Sequence, residues 1–424
     1  MKSLYKLSVC ISVCIWASCG HLAWAADTYV PLYAKEGVSA QKPRAKQNRV
    51  SGEGWDLSSL HRRVHPYASL STTYNDNMYG RGRSGPDKIK DEWIENAGVG
   101  VKIDLKKSLP ILGGFKTDTS LDVNMLRTYY LHKGLQRFDY SGSLDSKTII
   151  AKFISLTMSD SFSKKAAAES TIDTGGGTDY IDSINNSFNA VLAYQKRRFG
   201  AELGFNLAQL YYEANRQAQN SVDRSLTLTA LFTPPAMPKT SFLIEGDVGK
   251  VVYPKAETDS GDAIYAAAWL GVRGKIAPKV RGSIRVGRQA RDYKGEEDTD
   301  DLTASVDLTY EASKRTSCNL QISRSGVESL YRNGGLTNAL SETVSFSVTH
   351  APARKWSLGS AFSYSSSGYN TGQSSYSYSL APNISYAFRP WLNMGINYTH
   401  ASTQSHLTPS TKTNTYVFNT TGTF

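Results

Sequence analysis

The side chains able to do chemistry in this chain are few and gathered. Glu245 and Asp247 alternate with apolar neighbours on one stretch, and Arg281, Arg285 and Arg291 share a face on a stretch further along. Carboxylates opposed to guanidiniums across a narrow water-filled space would screen permeants by charge. The same five residues would equally serve as cross-strand ion pairs that hold register in a wall. Both readings stay open at this level. Metal chemistry has little to work with: among His61, His65, His132, His350, His400 and His406 the only close pairs, His61 with His65 and His400 with His406, have no cysteine near them, and Cys318 is the only cysteine beyond position 19. His400 followed by Ser402 offers the base and nucleophile that a lipid-facing ester hydrolase needs, but serine is abundant throughout, so no catalysis is expected. The run Glu296-Glu297-Asp298-Thr299-Asp300-Asp301 lacks the spaced ligands and turn glycine of a calcium loop and reads as a solvated connection. No cofactor and no metal is expected.

These residues need strands to position them. From Tyr67 onward the hydrophobic period is two: Trp93, Ala97, Val99, Val101, Ile103 and Leu105 alternate with Asn96, Gly98, Gly100, Lys102 and Asp104. Phe199 to Leu207, Leu226 to Phe232, Phe242 to Val248 and Leu302 to Tyr310 repeat the pattern, and no helical period competes. Connections alternate in length. Short turns at Lys196-Arg197-Arg198, Lys275 to Lys279, Ser313 to Thr316, Ala351 to Lys355 and Arg389-Pro390 are separated by longer polar stretches such as Lys164 to Asp179, Ser325 to Ala339 and Ala401 to Lys412. Strands leaving a short turn begin near Phe199, Ser241, Lys279, Ser317, Trp356 and Trp391, at intervals of 35 to 42 residues that each hold one hairpin. The pattern predicts an all-β, transmembrane, antiparallel up-and-down β-barrel of about eighteen strands, with sixteen as the alternative and Gln136 to Ser163 the hardest stretch to divide.

Export is written at the start of the chain. Lys2 and Lys6 precede an apolar run from Leu7 to Ala17, and Ala23-Trp24-Ala25 fits a cleavage site, so residues 1–25 read as a signal peptide. Residues 26–66 are polar and basic, a flexible periplasmic lead with a lumen plug or partner-binding arm as its functional alternative, and 67–424 form the barrel. Beyond the signal no apolar run is long enough for a membrane helix. Removing Lys2 and Lys6 leaves 46 basic against 37 acidic residues; the bases sit in turns rather than along one stripe, which argues against nucleic acid as a partner.

On the polar faces of the second half the side chains are small and uncharged: Asn319, Gln321 and Ser323, then Ser357, Gly359 and Ser363, then Asn393, Gly395 and Asn397. Hydroxyls and amides suit water or sugar, and any hydrated barrel wall would share that composition. Trp93, Trp356, Trp391, Tyr376 and Phe388 fall near expected strand ends, where rings anchor in a membrane interface. Tyr416, Phe418 and Phe424 share a face on the last strand, a terminus of the type that barrel-assembly machinery recognises.

The opening strand Tyr67-Ala68-Ser69-Leu70-Ser71-Thr72-Thr73-Tyr74-Asn75-Asp76-Asn77, the segment Asp91 to Val101 and Ser155 to Phe162 resemble the putative beta-barrel porin 2 family, most closely over the first third and elsewhere as architecture. That resemblance implies an outer-membrane location and an association with exopolysaccharide export. The leading expectation is therefore an outer-membrane channel serving such export, with a general diffusion porin or a closed receptor barrel as alternatives. The partners expected are outer-membrane lipid and lipopolysaccharide, barrel-assembly machinery, and polysaccharide or its export proteins.

Overall fold

The computed structural model describes residues 63–424 apart from 78–90, 107–115, 133, 169–179, 213–219, 255–261, 295–297, 331–335, 370–373 and 406–409. The expected signal peptide, nearly all of the lead, and Glu296 and Glu297 lie outside the described residues. The first six strands are β1 (Val64–Asn75), β2 (Glu92–Lys106), β3 (Lys116–Tyr130), β4 (Leu135–Ala151), β5 (Ile154–Ala168) and β6 (Tyr180–Lys196). Next come β7 (Phe199–Tyr212), β8 (Ser221–Phe232), β9 (Thr240–Val252), β10 (Ala263–Ala277), β11 (Val280–Tyr293) and β12 (Thr299–Ser313). The last six are β13 (Thr316–Leu330), β14 (Leu336–Ala353), β15 (Trp356–Tyr369), β16 (Ser374–Arg389), β17 (Leu392–Ser405) and β18 (Thr411–Thr423).

Every strand pairs antiparallel with its neighbours in sequence, and β1 pairs with β18, so the 18-stranded sheet closes on itself. The first described strand starts at Val64, and the stretch that resisted division resolves as β4 and β5 joined by Lys152-Phe153. The polar connections are shorter than their composition implies. β13 runs to Leu330, β14 starts at Leu336, and β17 continues to Ser405. Strands that project past the lipid meet water on both faces, so the apolar alternation fades there while the ladder goes on.

Alternation assigns the two faces. On β9, Phe242, Ile244 and Val248 turn outward, with Ile244 64% exposed, while Glu245 and Asp247 turn inward. Apolar side chains this exposed would be unfavourable in water and are at home in hydrocarbon. Aromatic rings form two outward girdles. Near the short turns, Phe199 meets Phe232 at 5.3 Å, Trp356 meets Tyr386 at 4.7 Å and Trp391 stacks on Phe424 at 6.1 Å between centroids. Near the loops, Tyr74 meets Trp93 at 4.9 Å and Tyr398 meets Tyr416 at 4.9 Å.

The closing seam runs from Tyr67↔Thr423 to Asn75↔Thr415. Beyond its ends, the Phe424 N–H donates to the Pro66 carbonyl at 2.8 Å and the Asp76 N–H to the Asn414 carbonyl at 3.1 Å. One interruption has a covalent cause: the β16–β17 ladder lapses between Leu380↔His400 and Asn383↔Asn397, where Pro382 has no N–H to give. Two inward tyrosines lie flat over the glycine directly opposite, Tyr67 over Gly100 and Tyr265 over Gly249. Each hydroxyl then reaches one strand further, to Asp122 at 2.9 Å and to Asp223 at 3.1 Å. A Cβ at either glycine would fall inside the ring above it.

Gly249→Val is therefore expected to displace Tyr265, break its bond to Asp223 and cost about 1–3 kcal/mol. The temperature at which the folded, fast-migrating gel band is lost should drop. Gly246→Val, on the outward face with nothing within 4 Å of its Cβ position, is the matched control and should leave that temperature unchanged.

Candidate functional site on the lumen wall

Across β7 to β12 the inner wall carries a group of charged side chains whose pairing is specific. Arg285 of β11 stretches over the Trp269 ring of β10, 5.5 Å from its centroid, and donates to Glu245 of β9 at 2.8 Å. Trp269 lies directly opposite Glu245 on one side and Gly287 on the other, so the missing side chain at Gly287 leaves room for the indole that the guanidinium crosses. Glu245 also accepts from Thr229 at 3.1 Å, and Arg285 donates to Ser305 at 3.3 Å. The pair thus spans β8 to β12 as a girth tie. Its side chains are 11% and 33% exposed, which leaves Glu245 largely inside the wall and Arg285 partly in the lumen.

Asp247 is the next inward residue on β9 and accepts from Thr227 at 2.9 Å. Among the described residues it stands in no ion pair, and Arg285 lies close enough to act on it through space. Arg291 lies higher on β11, 8% exposed, with its guanidinium 4.9 Å from the Tyr265 ring centroid. Arg281 lies at the short-turn rim, 57% exposed, paired with Glu311 at 3.4 Å. The five residues singled out by pattern therefore do not form one constriction. Glu245 and Arg285 come together, Asp247 sits beside them, and Arg291 and Arg281 occupy separate levels above and below.

Pattern reading missed two further groups. Glu202 of β7 pairs with Arg273 of β10 at 2.5 Å, between side chains 17% and 22% exposed. The inward direction of Glu202 follows from the alternation of its neighbours; its partner three strands along depends on strand tilt, which no local pattern carries. On β2 to β4, the inward positions Asp104, Asp122 and Asp145 make an acidic arc, where Ser120 donates to Asp145 at 2.9 Å and Lys102 shares the wall. Just past β9, burial pushes the Tyr253 hydroxyl up to about 12, so it remains a neutral donor at physiological pH.

The remaining arc is uncharged. Successive registers place Asn319 beside Ser347, Gln321 beside Ser345, Ser345 beside Ser363 and Ser363 beside Ser379. Further round, Asn383 faces Asn397 and Gly395 faces Asn419. Hydroxyls, amides and glycines thus line β13 to β18 as a continuous inner surface.

On the outer face near the loops, His400 Nδ1 and the Tyr398 hydroxyl both lie 2.8 Å from Asn414 Oδ1, and the Asn414 amide donates to Asp76 at 2.6 Å. Ser402 is 2% exposed and its Oγ has no hydrogen-bond partner among the described residues, so nucleophile and base are not joined. Tyr416, Phe418 and Phe424 all face outward, as their alternation predicts. No group of three or more His, Cys, Asp or Glu able to hold a metal occurs among the described residues.

The family model described as putative beta-barrel porin 2 matches residues 150–421. The match falls on β5 to β18 rather than on the opening strands where the resemblance looked strongest. No curated protein matches the chain. Among solved structures, OccAB4 of Acinetobacter baumannii is 11% identical, with 85% of this chain and 98% of that one covered at a TM-score of 0.44. OpdK of Pseudomonas aeruginosa, crystallised with vanillate, is 10% identical, with 85% and 99% covered at 0.46. The siderophore receptor PirA of the same organism is 8% identical, with 85% and 80% covered at 0.41. A closed barrel with an apolar outside, a polar inside and a family match over most of its strands leaves one assignment: the chain belongs to the putative beta-barrel porin 2 family and is a porin-like β-barrel of the outer membrane.

Proposed function

We propose that the barrel is a passive channel for exopolysaccharide chains, with the uncharged arc of β13 to β18 as the surface along which sugars slide. The observation that carries this reading is the uncharged inner surface, mostly hydroxyls and amides with small residues between them, across those strands. Sugar hydroxyls exchange hydrogen bonds readily with such groups, and a wall of many equivalent weak partners holds a chain without trapping it. The charged arc of β7 to β12 then gives the lumen a second, ion-sensing side. Tyr416, Phe418 and Phe424 serve assembly in this scheme, as the outward residues of the strand that closes the barrel on β1.

Planar-bilayer recording of the refolded mature protein, with and without residues 26–66, tests the channel. Stable conductance steps that neutral oligosaccharides interrupt in proportion to chain length are the expected result. Steps indifferent to oligosaccharide favour a general diffusion porin, and silence in both forms would sink the channel altogether. Conductance only after truncation would make residues 26–66 a plug.

Charge substitutions test the ion-sensing side. Arg285→Gln leaves Glu245 and Asp247 as neighbouring unpaired acids and should raise cation preference, read as a shift in reversal potential under a salt gradient. Glu245→Gln should shift it the other way, and the double variant should return near the parent. Each single change should also destabilise the barrel by about 1–3 kcal/mol, the lower end reflecting the exposure of Arg285.

A further inference from the structure

Among the described residues the two ends of the barrel differ in charge. At the loop end, bases meet acids: Arg137 and Lys164 both reach Asp182, Arg288 pairs with Asp300, and Arg324 pairs with Glu342. At the other end the turns themselves are basic. Lys152-Phe153, Arg197-Arg198, Pro278-Lys279, Lys314-Arg315 and Arg354-Lys355 are five of the connections, Arg389 precedes Pro390-Trp391, and the longer, mostly apolar β8–β9 connection ends on Lys239. All of these bases are exposed, and among the described residues none meets a carboxylate; the one ion pair at this rim, Arg281 with Glu311, involves neither.

Several of these cations are held along the rim or against its outward rings. The Lys152 and Lys196 ammoniums lie 5.6 and 5.8 Å from the Phe153 ring centroid, and Lys355 lies 5.9 Å from that of Tyr386. Tyr386 itself packs on Trp356, which is 43% exposed on the outer face. Lys279 donates to the Ala312 carbonyl at 2.8 Å and Arg315 to the Pro352 carbonyl at 3.2 Å, each bridging sideways to the next hairpin. Each keeps further N–H donors free. Cations held against the edge of an aromatic girdle sit at the depth where acyl chains give way to headgroups.

We propose that this rim is a binding collar for acidic glycerophospholipid headgroups in the leaflet that the short turns meet, with phosphate oxygens bridging adjacent turns. A soluble polyanion gathered at the channel mouth would use the same charge. The contacts with outward rings favour lipid.

Trp356 and Trp391 stand in the girdle beside the collar and report on their own lipid neighbours. The mature protein, carrying Trp93→Phe so that the described lipid-facing tryptophans are confined to this end, is reconstituted in phosphatidylcholine vesicles. Brominated phosphatidylglycerol or brominated phosphatidylcholine is then titrated in, and tryptophan quenching is measured. The acidic lipid should quench at a mole fraction lower by about threefold or more. The preference should shrink in high salt, an arm that needs no variant. It should vanish in Arg354→Gln/Lys355→Gln/Arg389→Gln, provided the folded gel band persists. Equal quenching by the two lipids overturns the proposal. So does an intact lipid preference in the triple variant combined with lost block by dextran sulfate in planar bilayers, which would reassign the collar to a soluble polymer.

Discussion

A chain that crosses lipid with strands must pair every backbone N–H and C=O with another strand, since hydrocarbon supplies no partner and each unpaired group costs several kcal/mol. Closure of β1 on β18 is where this requirement is met or lost. The remaining pairings join strands adjacent in sequence and can form locally; this one joins the two ends of the barrel. Everything described above rests on it, because only a closed ladder separates an outside that tolerates exposed Ile244 from an inside that can hydrate Asp247.

The same requirement explains what could be read in the residues alone. Period-two alternation is forced wherever one face meets lipid and the other water, so the middles of strands such as Phe242 to Val248 were legible, and with them the inward direction of Glu245, Asp247 and Arg285. Strand ends were not. Beyond the lipid both faces are wet, and the polar residues from Ser325 to Leu330 look like loop while they extend β13. The turn at Lys152-Phe153 is hard to place because it lacks glycine, proline or asparagine and interrupts an apolar-looking run. Arg281 shares the alternation of Arg285, yet alternation carries no height, and height is what places it at the rim beside Glu311. Partnerships between strands that are not neighbours, Glu202 with Arg273 and Glu245 with Arg285, depend on tilt and register around the whole barrel.

Division of the wall into arcs follows from geometry as much as from composition. An antiparallel register sets inward residues of adjacent strands side by side, so a small polar residue repeated at matching positions becomes a continuous lane, as with Gln321, Ser345, Ser363 and Ser379. Long charged side chains behave differently: Arg285 bypasses its immediate neighbour Trp269 to reach the strand beyond. Such a tie resists relative sliding of three strands at once. The charged arc can therefore stiffen the barrel, and in the channel proposed above the same atoms would also shape the field of the lumen.

The seam itself is secured at its two ends by unlike means. At the loop end a polar cluster does it: Asp76 accepts from the Asn414 backbone and side chain, and Asn77 donates to the Lys412 carbonyl at 2.9 Å. At the turn end the hold is a single backbone bond from Phe424 to Pro66 with the Phe424 ring against Trp391. The difference matches the solvent each end meets. Polar clusters hold where water and headgroups are mixed; a terminal aromatic holds at the girdle, where its ring is anchored by the interface as well as by its neighbour. Pro66 suits this place because its carbonyl is the needed acceptor and its absent N–H removes a donor that the end of the ladder would otherwise leave without a strand partner.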